Sequence, residues 1–526
     1  MATTQQQEQA PAEKSKLKKE IGLWSLVALG VGGMIGSGVF GLPATMGSVA
    51  GPSMILAVAL VGVITMILAL IYSELGSAFP LTGGPYSIPR LALGDAGGFV
   101  IGWGYFLYAF TGTAAIIDIA ITYLSFYVPG LAAGLTLTAT GVVLAVAATI
   151  VFTIINIIGV KWGTLFGILT TVAKIVPLLI FGFVGLALLN PSNFTPFMPF
   201  GWGGIGLAMA FGFFSFTGFE AVVIPSGEVK NPSRTIPRAM MITVAVVVAV
   251  YILIATAFTG LINWSALGLN VGDWGGMYNL SSPLSDVAKA AGLGLLAAVV
   301  TVGAIFSATG AGGDWVLFQG RIPYAMAEDH LFWGPMDKVH SKYGTPYVSI
   351  IFASALTIGT QVLLPSFPSV MLIASITTLI PYAAAAVSLP ILRKNKPDVP
   401  RPFRLQAGLL FAVLGFVFST VLIYWASWPW TLVGAVATLV GFPLYLTLKG
   451  HKLDWGRQAW LIVYMVGLVV ISLLGDTNFV YQNFLPFGPM GIIPMPYDFI
   501  VLTVFAIAIF AWAYKANTVP GVAANL

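Results

Sequence analysis

Long, unbroken apolar runs recur along almost the whole chain. Residues 54–72 and 461–474 are two of them, and neither shows the alternation of apolar and polar residues that is typical of a membrane β-barrel strand. Only 8% of the 526 residues are charged, whereas soluble domains carry roughly 25%. A bilayer allows only helices or closed barrels to span it. The sequence therefore predicts an all-α polytopic membrane protein, with the lipid bilayer as its surroundings.

The composition also limits the chemistry of the protein. The chain has no cysteine and three scattered histidines, which excludes disulfides and thiolate sites and leaves little for a histidine metal site. No nucleotide-binding loop and no soluble domain are evident. We therefore expect no metal, no cofactor and no enzymatic activity. The calculated isoelectric point near 9.1 reflects membrane topology rather than a nucleic-acid partner.

A transmembrane helix needs about 20 apolar residues, and this criterion predicts fourteen spans. The polar residues 1–20 do not have the pattern of a cleavable signal peptide, and we interpret them and residues 516–526 as cytoplasmic tails. The spans are predicted near residues 21–46, 52–73, 97–127, 134–158, 162–189, 203–229, 238–262, 284–320, 346–365, 369–393, 408–427, 429–449, 458–475 and 497–515.

The distribution of basic residues tests this number of spans. With the N-terminus in the cytoplasm, 21 of the 23 Lys and Arg residues lie in internal segments or the span ends next to them. The external loops carry none, and only Lys174 and Lys289 lie further within spans. Cytoplasmic loops are enriched in Lys and Arg. The pattern predicts that both termini are inside the cell.

Two spans are interrupted at corresponding places. The first contains the glycine-rich run GGMIGSGVFGLPA at residues 32–44, and the sixth contains FSFTGFE at 214–220, followed by Pro225. Glycine and proline disfavour a continuous helix, although glycine also serves close helix packing. The two breaks are five spans apart, so two five-helix units would be inverted relative to each other. Such paired breaks are typical of a transporter site at the bilayer midplane.

Several separated motifs resemble the amino acid–polyamine–organocation superfamily. They are the first run above, FSFTGFEAVVIPSGEVKNPSRTIPRA at 214–239, the segment YSELGSAFPLTGGPYSIPRLALGDAGGFVIGW at 72–103, GRIPYAMAEDHLF at 320–332 and LRKNKPDVPRPFRL at 392–405. The resemblance implies a first inverted repeat at 21–189 and a second at 203–393. The helices of residues 405–515 follow, and the last two of them are an addition to the twelve spans common in the family.

The resemblance also implies where an amino acid binds. Backbone N–H groups at a half-helix N-terminus suit a carboxylate, and Ser37 and Gly38 stand at that position. The carbonyls of Met34, Phe214 and Thr217 correspond to the ammonium site. The full set of implied contacts is Met34, Ile35, Gly36, Ser37, Gly38, Phe214, Ser215, Phe216, Thr217 and Gly218, with Tyr105 as an aromatic gate.

The aromatic positions bear on specificity. Phe214 stands where the basic amino acid and polyamine exchangers often have Trp, and Ala384 stands where they can have Tyr. A pocket with these residues is more apolar than one for arginine, so we expect neutral amino acids or a broad range. Ordinary packing is the alternative role for each aromatic ring.

Ionisable residues within spans are functional candidates because they are costly in a bilayer. Lys174 matches the position where sodium-coupled relatives hold a sodium ion, and the Gly33 carbonyl and Thr309 hydroxyl are its expected partners. Glu220 either senses protons or caps the broken backbone. Asp314 pairs with Lys174, recognises a cationic side chain or faces a water-filled crevice. Asp118 is expected to face the outer vestibule in a structural role.

These observations predict a proton-coupled secondary transporter of amino acids that works by alternating access. The alternatives are an exchanger of cationic amino acids or polyamines and a potassium-type permease on the same fold, since a cation could use the same carbonyls. A membrane enzyme or a receptor-like sensor has no supporting motif.

Overall fold

The computed structural model describes residues 21–36, 38–79, 84–159, 163–223, 229–448, 452–476 and 484–518, and for residues 84 and 163–173 the helical backbone alone. This part of the chain is helical apart from a short antiparallel pair of strands, Ala132–Ala133 with Thr136–Leu137. The helices are α1 (Leu23–Met34), α2 (Gly38–Ala50), α3 (Met54–Ala78), α4 (Gly84–Leu124), α5 (Ala139–Ile158), α6 (Gly163–Ala187), α7 (Gly201–Phe213), α8 (Pro232–Leu261), α9 (Pro283–Ala290), α10 (Gly294–Glu328), α11 (Tyr347–Leu363), α12 (Phe367–Asn395), α13 (Gly408–Trp425), α14 (Trp430–Leu439), α15 (Gly441–Leu446), α16 (Trp455–Leu474) and α17 (Tyr497–Asn517).

Each predicted span coincides with one or two of these helices. By length and composition, ten helical stretches in the described residues can cross a membrane, and shorter apolar helices such as Leu23–Met34 and Trp430–Leu446 add to them. The prediction of one continuous span at 284–320 differs from the structure, because α9 ends at Ala290 and α10 begins at Gly294. Gly292 lies between them with φ of +80°, a left-handed conformation that interrupts a helix.

The helices pack in two groups. In one group α1 and α3 pack against α8, and α2 packs against α7. In the other group α4 packs against α10, α11 and α12, and α5 packs against α10 and α11. α12 is buried from Phe367 to Leu392, whereas α5 and α17 keep most of their surface exposed, as expected for helices that face lipid.

One end of the bundle is built around basic side chains, and we call it the basic end, defined by Arg90, Arg393, Arg401 and Arg457. Glu74 at the end of α3 is fully buried there and accepts a 2.8 Å hydrogen bond from Arg393 Nε. Its other oxygen accepts a 2.7 Å bond from the backbone N–H of Leu405. A buried carboxylate requires such partners, and this one ties α3 to the chain that follows α12.

Candidate functional site

The first helix break separates α1 from α2. α1 ends at Met34 and α2 begins at Gly38, as the glycine run predicted. Ile35 leaves the helical conformation (φ −77°, ψ 84°), and the N–H of Gly36 turns back to the Met34 carbonyl at 2.9 Å. An added Cβ on Gly36 would meet nothing within 4 Å, so this side of the break is open. Ser37 lies outside the described residues.

The second break follows α7. A single 3-10 turn, Phe214–Phe216, follows α7, and Thr217 is then extended (φ −73°, ψ 166°). Gly218 has φ of +92°, which favours glycine, and a further 3-10 turn, Phe219–Val222, completes the break. The chain thus loses regular α-helical bonding at the position that the sequence predicted.

The two breaks contact each other at their glycines, where the absence of a side chain lets them approach closely. A Cβ on Gly218 would lie 2.6 Å from the Gly33 carbonyl oxygen, and a Cβ on Gly38 would overlap the Ser215 hydroxyl. The Ser215 side chain is buried, and its hydroxyl has no hydrogen-bond partner within the described part of the chain. A buried hydroxyl without a partner is costly.

Tyr251 of α8 joins the two breaks. Its hydroxyl lies 3.1 Å from the Met34 carbonyl and 2.9 Å from the Ser215 carbonyl. Its ring packs edge-on against Phe216, with 5.0 Å between the centroids, so Phe216 points towards α8. Sequence reasoning did not identify Tyr251.

Two of the three carbonyls expected to bind an ammonium group already have protein donors. Met34 O accepts from Tyr251, and Phe214 O accepts a 2.6 Å hydrogen bond from the Thr217 hydroxyl. The Thr217 hydroxyl in turn accepts a 2.7 Å bond from Tyr108. A substrate ammonium would therefore share or replace these donors.

Glu220 is the polar centre of the second break. Its Oε1 accepts a 2.8 Å hydrogen bond from Tyr105, and its Oε2 accepts one of 2.8 Å from Tyr382. The backbone N–H of Gly218 donates to the same Oε2 at 3.1 Å. The carboxyl is buried and linked to α4 and α12, so it caps the broken backbone and joins the two groups of helices at once. Tyr105, predicted as a gate, here holds Glu220.

An aromatic wall lies beside the breaks. A Cβ on Gly112 of α4 would be in ordinary contact with the rings of Phe214 (3.5 Å), Tyr108 (3.6 Å) and Trp315 (3.7 Å). Tyr108 and Trp315 meet edge to face at 5.3 Å. Three elements thus contribute rings to one apolar surface beside the breaks.

Lys174 of α6 approaches the first break. Its ammonium is buried and donates a 2.9 Å hydrogen bond to the Gly32 carbonyl, one residue before the expected Gly33. The expected partner Thr309 is exposed, and no hydrogen bond joins it to Lys174 within the described residues. Ser307 is the α10 hydroxyl that turns to the break, 3.5 Å from the Gly36 carbonyl. Two residues along a helix turn the side-chain direction by about 200°. Ser307 and Thr309 therefore point to nearly opposite sides of α10, and Ser307 is the one that faces the break.

The two remaining intramembrane acids have different surroundings. Asp314 is exposed and lies within electrostatic range of Lys174, but no direct ion pair joins them in the described structure. The expectation that Asp118 faces a vestibule is wrong: its side chain is fully buried, beside Gln361 of α11. Helix packing on all sides of α4 accounts for its burial.

Four aromatic residues of this site were missed at the sequence level, namely Tyr108, Tyr251, Trp315 and Tyr382. The available signal was the presence of Tyr and Trp within apolar spans, because a buried hydroxyl or indole N–H needs a partner. Tyr382 is two positions from Ala384, whose small side chain suggested an apolar pocket.

Comparisons with known proteins show which family this chain resembles. The family model described as "Amino acid permease" matches residues 21–447. The chain is 28% identical to the glutamate/serine transporter AimA of Bacillus subtilis (strain 168), covering 96% of this chain and 95% of that one. It is 30% identical to the aspartate-proton symporter of the same organism, covering 95% and 97%. It is 29% identical to the branched-chain amino acid permease BcaP of that organism, covering 85% and 96%.

Proposed function

This chain belongs to the amino acid permease family, within the amino acid–polyamine–organocation superfamily, and we propose that it is a proton-coupled secondary transporter of amino acids that works by alternating access. The contact between the two helix breaks is the observation that carries the proposal. There, an open Gly36 and a Ser215 hydroxyl that has no partner among the described residues lie beside backbone that has left helical bonding. Interrupted helices of this kind bind zwitterions in membrane transporters because they expose backbone donors and acceptors.

The proposed architecture has fourteen spans, two inverted five-helix repeats and both termini in the cytoplasm. The two packing groups support it, since the first two spans of one repeat pack with the first two of the other. The basic end supports the orientation, because Arg90, Arg393, Arg401 and Arg457 lie together there and would face the cytoplasm.

The proposed substrate is a neutral amino acid or a broad range of amino acids. The carboxylate would meet the N-terminus of α2 at Gly38, and the ammonium would meet the carbonyls of Met34, Phe214 and Thr217. The rings of Phe214 and Trp315 favour an apolar side chain. An exchanger of cationic amino acids or polyamines is the second candidate, favoured by the exposed Asp314, which could attract a positive side chain.

The proposed coupling residue is Lys174. Its ammonium fastens α6 to the Gly32 carbonyl at the end of α1, where a sodium ion would otherwise hold the same helices together. Loss of its proton would weaken this contact and release α1. Glu220 is the second candidate, because it too joins helices across the site. The aspartate-proton symporter is a relative whose printed name includes a proton, which favours this form of coupling.

Uptake into proteoliposomes tests the substrate class. Purified protein should take up labelled alanine, serine or leucine, and unlabelled neutral amino acids should compete. Competition by potassium but not by amino acids would favour a potassium-type permease. Turnover of a substrate without its movement across the bilayer would contradict transport altogether. A thermal-shift screen gives an independent readout, because a ligand that binds the folded state raises its stability.

A further inference from the structure

The last two helices lie beyond the family match, which ends at residue 447, yet they are bonded to its interior. The guanidinium of Arg457, in the first turn of α16, donates from Nη2 to the Ala92 carbonyl at 3.2 Å. The neighbouring Gln458 donates from Nε2 to the Leu93 carbonyl, also at 3.2 Å. Both acceptors belong to residues 85–93, the first part of α4, which we call the entry segment.

Asn517, at the end of α17, fixes Arg457 in place. It accepts from Arg457 Nε at 3.2 Å and returns a 3.2 Å hydrogen bond from its Nδ2 to the Arg457 carbonyl. Its own backbone carbonyl accepts a 2.8 Å bond from Asn395 at the end of α12. Asn517 is fully buried. Three helices, α12, α16 and α17, are therefore joined at one residue.

The backbone of α4 is shaped to receive Arg457. Gly94 has φ of +77° and ψ of 179°, which kinks α4 directly after the entry segment. A Cβ at Gly94 would approach Arg457 Nη1 to 3.1 Å, closer than ordinary contact. The planar guanidinium thus lies against bare backbone, with Nη2 on Ala92 and Nε on Asn517. A lysine could not make these two bonds from one side chain in the same way.

The opposite side of the entry segment is bonded to the end of α10. Tyr86 donates to Asp329 at 2.9 Å, and Arg90 forms an ion pair of 2.6 Å with the same carboxylate. The entry segment is therefore held on one side by Asp329 and on the other by α16 and α17. Tyr105, which holds Glu220, lies 12 residues beyond the end of the entry segment, or about 18 Å further along α4. Movement of the entry segment would open the basic end below the substrate site.

We propose that α16 and α17 form a brace that limits opening of the transporter towards the cytoplasm, with Arg457 and Asn517 as positioning residues that hold the entry segment. The proposal rests on the orientation and alternating access proposed above. Loss of the Arg457 side chain removes the hydrogen bonds that it donates to the Ala92 carbonyl and to Asn517 Oδ1. The closed arrangement therefore loses stabilisation that the open one does not have. The equilibrium then shifts towards the inward-open state.

Labelling of a single cysteine tests the brace directly. The chain has no cysteine of its own, and the Ala92 side chain is fully buried. An Ala92→Cys protein keeps the backbone carbonyl that Arg457 contacts. In inside-out vesicles, a membrane-impermeant maleimide should label it several-fold faster when Arg457→Ala or Asn517→Ala is added. Arg457→Lys should give an intermediate rate. Lys515→Ala, which removes an exposed charge from α17, should leave the rate unchanged.

Transport kinetics form the second readout. Arg457→Ala should raise the external KM several-fold with a smaller change in the maximal rate, because fewer carriers face outwards. Labelling no faster than in Lys515→Ala would overturn the brace, and faster labelling with an unchanged KM would overturn its role in transport. If Arg457→Ala does not yield folded protein by size-exclusion chromatography, Asn517→Ala and Gln458→Ala decide in its place. Labelling does not require uptake, so a failure of the amino acid assignment would be seen separately.

Discussion

The ammonium of Lys174 donates a 2.9 Å hydrogen bond to the backbone carbonyl of Gly32. Gly32 belongs to the last turn of α1, immediately before the break that we propose as half of the substrate site. α6 therefore holds the end of α1 through one buried side chain. A single proton on Lys174 would control a contact between two helices.

Lys174→Ala should retain substrate binding but lose the dependence of uptake on pH, because the titrating group that fastens α1 is removed. Uptake measured over a range of external pH checks this. Lys289→Ala is the matched control, since Lys289 is an exposed lysine outside the site. An unchanged pH profile in folded Lys174→Ala protein would leave Lys174 structural and would move attention to Glu220.

Tyr105→Phe and Tyr382→Phe should each weaken the contact that Glu220 makes across the site. Each removes one hydroxyl donor to the carboxyl, at a cost of about 1–3 kcal/mol. Reduced thermal stability and a lower transport rate are the expected readouts, with the double variant worse than either single one. Tyr464→Phe, which affects a buried hydroxyl between α13 and α16, is the control for loss of a tyrosine hydroxyl. Equal losses of stability and transport rate in the three single variants would contradict the role of Glu220 in joining the two groups of helices.

Gly38→Val should abolish binding, because a side chain there would displace Ser215 and cover the N–H groups at the start of α2. Gly36→Ala should instead fold normally and still weaken binding, because an added Cβ enters open space at the break. Thermal-shift titrations with amino acids separate the two effects. Gly359→Val is the control, at a helical glycine with nothing within 4 Å. Full uptake by folded Gly38→Val protein would show that the break serves packing only.

Neutral amino acids should compete for uptake more strongly than arginine or a diamine. The rings of Phe214, Tyr108 and Trp315 give an apolar side-chain environment, and a long cationic side chain would find few partners there. If arginine or a diamine competes better, the preference is refuted. Loss of that advantage in Asp314→Asn would then identify the exposed acid as the selectivity residue.

The positions of the helices could be predicted from the sequence, whereas the contacts between them could not. Runs of about 20 apolar residues and the glycine-rich sequence around Gly36 determine where helices form and break. Which side of each helix faces the site depends on its rotation, and one residue turns the direction by about 100°. Lys174 therefore contacts Gly32 rather than Gly33, and Ser307 rather than Thr309 faces the break.

The tyrosine contacts illustrate the same limit. Tyr382 lies 162 positions from Glu220 in the chain, and nothing local to either residue predicts that their side chains meet. Sequence identified Glu220 because an intramembrane acid is unusual, but tyrosines are frequent in membrane proteins and do not stand out. The structure identifies these tyrosines as part of the site because it shows which group accepts the hydrogen bond from each hydroxyl.

Accumulation in proteoliposomes driven by a proton gradient tests the central claim most directly. In sodium-free buffer, an inward proton gradient should drive a labelled neutral amino acid to a higher concentration inside than outside, and collapse of the gradient by a protonophore should release it. Accumulation that requires sodium, or equilibration that is indifferent to the proton gradient, would contradict a proton-coupled amino acid transporter.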